Sequence, residues 1–97
     1  MVTHIVMWNF ADHLSEEEKA EAAKNMKERL EPLKDVIEGT LSLKVITNPL
    51  PTSSYEVALV GEYVDEAALS FYATHPEHLK VVEYIKTVCK DRAALDY

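Results

Sequence analysis

The sequence predicts an α+β fold in a single domain that spans residues 1–97. Two observations support this expectation. Segments rich in β-branched and aromatic residues alternate with segments of three-and-four apolar spacing, in the order strand, helix, strand, strand, helix, strand. In addition, the first and third strands carry apolar residues on both faces, whereas two helices can cover only one face of a sheet. The second face therefore needs another cover.

The first strand is predicted for residues 2–10, where β-branched and aromatic residues are frequent. Alternation along a strand places one set of side chains on the face that helices should cover: His4, Val6 and Trp8. The other set should lie on the opposite face: Thr3, Ile5 and Met7. Because both sets are largely apolar, we expect this strand to be covered on both faces.

The first helix is predicted to begin after Ser15, because Ser15 and Glu18 match the capping box that satisfies free N–H groups at a helix start. Its apolar stripe includes Met26, which should fill the core. Pro32 disfavours helical geometry at the residue before it, so we expect a break there and a short final turn. Gly39 is expected to end the segment as a C-terminal glycine.

Two further strands should follow. Residues 40–47 alternate between apolar and polar side chains, as in a half-covered strand, and residues 48–54 are loop-like in composition. Residues 55–63 are apolar on both faces. Gly61 within this third strand predicts either a bulge or a group packed close to the backbone.

The last third of the chain should contain a short helix capped by Asp65, a turn, and a second helix that begins at Pro76. Proline suits the first helical position because its missing N–H would have no partner there, and His75 is then the cap. We expect this helix to run to about Thr87 and a weaker strand to occupy residues 92–97.

The order β-α-β-β-α-β is that of the ferredoxin-like fold, in which a four-stranded antiparallel sheet carries its helices on one face. A monomer of this kind would leave apolar side chains of the first and third strands in water. Two sheets packed face to face would cover them. The sequence therefore predicts a homodimer, a dimeric α+β barrel.

Composition excludes several classes of partner. A net charge of −7 and a pI near 5.0 argue against nucleic acid or an anionic membrane surface as the main ligand. The start of the chain lacks the basic segment of a signal peptide, and no apolar run is long enough for a membrane span. We therefore expect a soluble, cytoplasmic protein.

Cys89 is the only cysteine, so an intrachain disulfide and a cysteine-based metal cluster are excluded.

The segment from Phe71 to His78 contains the residues most suited to chemistry. His78 should lie in the first turn of the helix that begins at Pro76, where the positive end of the helix dipole favours neutral imidazole. Neutral imidazole can act as a general acid or base, and Tyr72 just before the turn could hold a carbonyl oxygen. The alternative is structural: His75 caps the helix, Tyr72 packs, and His78 satisfies a backbone group.

The chain resembles the stress-responsive A/B barrel (Dabb) family of dimeric α+β barrels over essentially its whole length. Four segments carry the resemblance: His4–Trp8, Tyr55–Val60, Tyr72–His78 with its His-Pro-x-His turn, and Leu95–Tyr97. The resemblance implies a homodimer. A plant polyketide cyclase of this family closes its substrate by an aldol reaction with a tyrosine and a histidine that match Tyr72 and His78. His4 also matches a pocket histidine of that cyclase, whereas Val57, Ala22 and Ala23 differ from it.

Three functions remain open at this point. The first is binding of a small, largely apolar molecule between sheet and helices, with substrate-binding side chains predicted at His4, Val6, Trp8, Met26, Leu59 and His75. The second is a polyketide-cyclase-like lyase without cofactor, in which His78 is the base and Tyr72 holds the oxyanion. The third is a monooxygenase-like dimeric barrel. We expect no haem, flavin or structural zinc, because the pair His75 and His78 offers too few metal ligands and no phosphate-binding glycine loop occurs.

Overall fold

One antiparallel sheet carries all the helices on a single face. The structure is a computed structural model that describes residues 1–97. Its strands are β1 (Val2–Phe10), β2 (Thr40–Ile46), β3 (Val57–Tyr63) and β4 (Cys89–Asp96). Its helices are α1 (Glu16–Leu30), α2 (Glu66–Thr74) and α3 (Pro76–Val88), and a 3₁₀ helix covers Glu31–Asp35. The strand order β2-β3-β1-β4 confirms the predicted ferredoxin-like fold.

The central strand β1 pairs with β3 on one side and β4 on the other, both antiparallel. On its helix-covered face, Val6, Trp8 and Phe10 are buried. On its other face, Ile5 and Met7 are only partly buried, and no helix lies over them. Both faces of β1 are thus apolar, but the helices cover only one of them.

The ends of the helices follow from local chemistry as predicted. The Ser15 hydroxyl accepts from the Glu18 N–H while the Glu18 carboxylate accepts from the Ser15 N–H, so the capping box is complete. The α-helix ends at Leu30, and Pro32 lies in the tighter 3₁₀ turn that follows. Gly39 adopts a φ of +87°, a left-handed conformation that a side chain would strain.

Gly61 makes room for an aromatic ring instead of forming a bulge. It pairs in regular register with His4 on β1 and Leu43 on β2. A Cβ atom at Gly61 would lie 2.5 Å from the hydroxyl of Tyr63, which is fully buried. Of the two predicted reasons for this glycine, close packing is therefore the correct one.

Two strand boundaries differ from the predictions. β3 begins at Val57, two positions later than expected, after a polar turn. β4 begins at Cys89, directly after α3 and three positions earlier than expected. Its charged residues Lys90, Asp91 and Arg92 are atypical of strands, and pairing with β1 overrides that weak local preference. None of the helices has the length and apolar character needed to cross a membrane.

Candidate functional site

A cavity of about 280 Å³ lies between the sheet and α3. Its wall is mostly apolar, with Val82 and Ile85 of α3 facing residues of β1, β3 and β4. The cavity brings together six of the predicted site residues: His4, Val6, Trp8, Leu59, Tyr72 and His78. These residues come from four different elements, so only the folded chain forms the wall.

Met26 and His75, which were also predicted to contact a ligand, do not line this cavity. Met26 is completely buried in the core behind the wall, where its sulfur accepts a weak hydrogen bond from the Cys89 thiol at 3.7 Å. His75 caps α3, because its Nδ1 accepts from the Glu77 N–H at 3.1 Å. Both side chains are held by structural contacts.

Four aromatic rings form a continuous row, and three of them, His4, Tyr72 and His78, line the cavity. The ring centroids of Tyr72 and His78 are 4.3 Å apart, and those of Tyr72 and Tyr63 are 5.1 Å apart. His4 meets Tyr63 edge-on at 6.2 Å. Tyr63 was not among the predicted site residues. The sequence feature that points to Tyr63 is Gly61, two positions earlier on the same face of β3, because the missing side chain leaves space for the tyrosine ring.

One hydrogen bond fixes the tautomer of His78. Its Nδ1 lies 3.1 Å from the backbone carbonyl of Ala73, near the C-terminal end of α2, where carbonyls lack helical partners. A carbonyl can only accept, so Nδ1 carries the proton and Nε2 keeps its lone pair. Burial lowers the pKa of His78, and the bond to Ala73 opposes this shift only in part. The ring is therefore a neutral base at pH 7.

Tyr72 presents its ring to the cavity but not its hydroxyl group. The hydroxyl oxygens of Tyr72 and Tyr63 are enclosed, and neither has a hydrogen-bond partner of good geometry. Burial raises the pKa of Tyr72 to about 12, and burial also raises the pKa of Tyr63. Both phenols are therefore protonated at neutral pH. A ligand oxygen could reach the Tyr72 hydroxyl only if that group shifted from its enclosed position.

His4 is paired with the carboxylate of Asp96, its register partner on β4. The carboxylate contacts Nδ1, which orients the imidazole and assigns a proton to that nitrogen. No other hydrogen bond engages the ring, so Nε2 is free to contact a ligand. The sequence does not predict this contact of Asp96, because a partner 92 positions away leaves no local pattern.

The mouth of the cavity is charged. Lys86, Lys90, Asp91 and Arg92 border it. Asp91 has a φ of +55° and is the only non-glycine residue with a positive φ.

The Cys89 thiol also lines the cavity, and burial raises its pKa to about 12, so it is a poor nucleophile. No group of three or more His, Cys, Asp or Glu side chains is arranged to hold a metal ion.

The lowered pKa of His78 predicts a specific dependence of stability on pH. In the unfolded chain this imidazole takes up a proton near pH 6.5, whereas in the folded chain it does so only at lower pH. Its contribution to stability is thus complete above pH 6.5 and is lost as the pH falls through that value towards the folded pKa. His78→Asn should make stability less sensitive to pH between 7 and 5 in urea denaturation.

The matched control for this experiment is His13→Asn, because His13 is an exposed loop residue. That variant should retain the full pH dependence of the wild-type chain. Identical pH profiles for the wild-type chain and His78→Asn would contradict the prediction.

Several solved structures have the same fold. A dimeric ferredoxin-like protein of unknown function from Bacteroides fragilis is 32% identical, with a TM-score of 0.90 over 99% of this chain and 93% of that one. A hydroxynitrile lyase from Passiflora edulis is 17% identical, with a TM-score of 0.79 over 99% and 90% of the two chains. A candidate antibiotic biosynthesis monooxygenase from Deinococcus radiodurans is 14% identical, with a TM-score of 0.76 over 100% and 90%. At identities this low, the latter two show the fold alone.

Among curated proteins, none matches the chain. The family model of the Stress Responsive A/B Barrel Domain matches residues 2–97, which is nearly the whole sequence. This match agrees with the strand order, the single helix-covered face and the cavity between sheet and helices. The chain therefore belongs to the stress responsive A/B barrel domain (Dabb) family.

Proposed function

We propose that this protein is a homodimer that binds a small, largely apolar molecule in the cavity between the sheet and α3. The observation that carries the proposal is the composition of the wall. Val6, Trp8, Leu59, Val82 and Ile85 supply apolar surface around about 280 Å³ of space. Two imidazoles, His4 and His78, supply the few polar groups that fix a ligand's orientation.

The uncovered face of the sheet supports the dimer. Ile5 pairs with Val60 and Met7 pairs with Ala58, which places four apolar side chains on the face without helices. Leu95, the partner of Ile5 on β4, extends this surface and is mostly exposed. A contiguous apolar surface of this kind is typical of an interface. The related protein from Bacteroides fragilis is described as dimeric, which agrees with this proposal.

Filling the cavity should abolish binding. Trp8 is the only tryptophan and lines the cavity, so its fluorescence reports occupancy directly. Titration of the wild-type chain with octan-1-ol should change this fluorescence in a saturable way. Val82→Phe adds volume to the cavity wall and should weaken that binding by about tenfold or more, because the added ring occupies ligand space.

The control is Val36→Phe, which makes the same substitution at an exposed site outside the cavity. It should bind octan-1-ol like the wild-type chain. Equal binding by Val82→Phe would contradict this location for the ligand, and no saturable signal from the wild-type chain would contradict the proposed function itself.

A second candidate function, a lyase that works by proton transfer, is favoured by the tautomer of His78. The Nε2 lone pair of a neutral imidazole at a cavity wall can accept a proton from a substrate hydroxyl. With a hydroxynitrile, His78 would take that proton, the bond from the carbinol carbon to the nitrile carbon would break, and cyanide would leave with the electron pair. The carbonyl product would form, and cyanide would receive the proton from His78.

Tyr72 would serve this reaction as an oxyanion holder only after its hydroxyl moved out of its enclosed position. The base role of His78 therefore has more support than the oxyanion role of Tyr72. The monooxygenase alternative has the shared fold in its favour and no specific side chain of the cavity.

A further inference from the structure

The cavity mouth holds one cation that the protein itself does not neutralise. Arg92 borders the cavity, yet its guanidinium takes part in none of the ion pairs or side-chain hydrogen bonds of the structure. Arg29 and Lys44 also form no ion pair, but of these three cations only Arg92 borders the cavity. Arg92 is also close enough to His78 for its charge to act on that imidazole.

The neighbouring cations are engaged with carboxylates. Lys86 lies 3.6 Å from Glu83, and Lys90 is paired with Asp12. Asp91 lies 4.0 Å from Lys90 and accepts a hydrogen bond from the Asn9 amide. Around the mouth, therefore, Arg92 is the cation left free to bind an external anion.

A β-bulge directs Arg92 towards the cavity. Lys90 pairs with Asn9 and Ala93 pairs with Met7, so Asp91 and Arg92 together stand opposite the single residue Trp8. The extra residue, Asp91, takes the left-handed conformation with φ of +55°. After the bulge, Ala94 pairs with Val6 of the helix-covered face, and Arg92 lies two positions before Ala94 on that same face. In a regular strand counted from Cys89, Arg92 would have pointed to the opposite face.

We propose that the ligand of this cavity is a small amphipathic monocarboxylate, with its apolar body between sheet and α3 and its carboxylate on Arg92. The planar guanidinium matches a carboxylate in a two-pronged hydrogen bond. The adjacent Asp91 carboxylate disfavours a dianion such as a phosphate monoester. This inference rests on the proposed binding function. Because Arg92 lies on the helix-covered face, the proposed homodimer would leave it accessible.

Two ligands of equal chain length test the inference through Trp8 fluorescence: octanoate and octan-1-ol. The wild-type chain should bind octanoate about ten- to a hundredfold more tightly than octan-1-ol, which corresponds to one charged hydrogen-bonded contact. Arg92→Gln should reduce the affinity for octanoate to that for octan-1-ol and leave the affinity for octan-1-ol unchanged. Lys24→Gln, which removes a positive charge from α1 outside the cavity, should leave both affinities unchanged.

The outcomes separate this inference from the proposal on which it rests. If the wild-type chain binds both ligands equally, or if Arg92→Gln retains the preference for octanoate, the carboxylate inference is overturned while apolar binding stands. If neither ligand produces a saturable change, both are overturned. If Lys24→Gln weakens octanoate binding as much as Arg92→Gln, the effect is one of net charge and the assignment to Arg92 is overturned.

Discussion

Ile5→Asp is expected to convert the proposed dimer into a monomer and to lower the melting temperature. Ile5 lies on the central strand, on the sheet face without helices, between Val60 of β3 and Leu95 of β4. In the proposed dimer this position is enclosed between two sheets. An unpaired carboxylate there would lose its hydration without gaining a partner, at a cost of about several kcal/mol, which is comparable to the whole stability of a small domain.

Size-exclusion chromatography with light scattering at micromolar concentration measures the effect. The wild-type chain should have the mass of a dimer and Ile5→Asp that of a monomer. Val36→Asp introduces the same charge at an exposed position away from the sheet face and should remain dimeric. A wild-type chain that is a stable, folded monomer would refute the dimer, and dimeric Ile5→Asp would refute this interface.

In the proposed lyase reaction, His78→Ala is expected to lower the rate of hydroxynitrile cleavage by about 10²- to 10⁴-fold, the usual contribution of a general base. The substitution removes the neutral Nε2 base and leaves the other cavity walls in place. The substitution removes the hydrogen bond from Nδ1 to Ala73 and the ring contact with Tyr72, so the free energy of unfolding should fall by about 1 to 3 kcal/mol.

Turnover of mandelonitrile and thermal unfolding should be measured on the same samples. Because burial lowers the pKa of His78, the wild-type rate should hold at pH 6.5 and fall only at lower pH, as the imidazole becomes protonated. His13→Ala, at an exposed loop site, serves as the control for loss of a histidine. A purely structural role for His78 would instead leave the turnover of mandelonitrile at the wild-type rate.

Local patterns in the sequence predicted most of the fold correctly. The capping box at Ser15 and the helix start at Pro76 depend on groups within a few residues of each other, and both are present. The faces of β1 follow from alternation alone, so Val6 and Trp8 were placed correctly towards the helices. The glycine in β3 was also recognised as special, although only the structure shows that Tyr63 is the reason.

The order of the elements, their caps and the two apolar faces of the sheet could be predicted from the sequence, because short-range chemistry governs each of these features. The set of side chains that meet in the cavity depends on long-range packing, which the sequence patterns do not reveal. The bulge beside Trp8 directs Arg92 towards the cavity, and the pairing of β1 with β4 brings Asp96 into contact with His4. Met26 packs against Cys89 behind the cavity wall and does not line the cavity. These contacts join distant residues, and they depend on strand register, which a single extra residue can reverse.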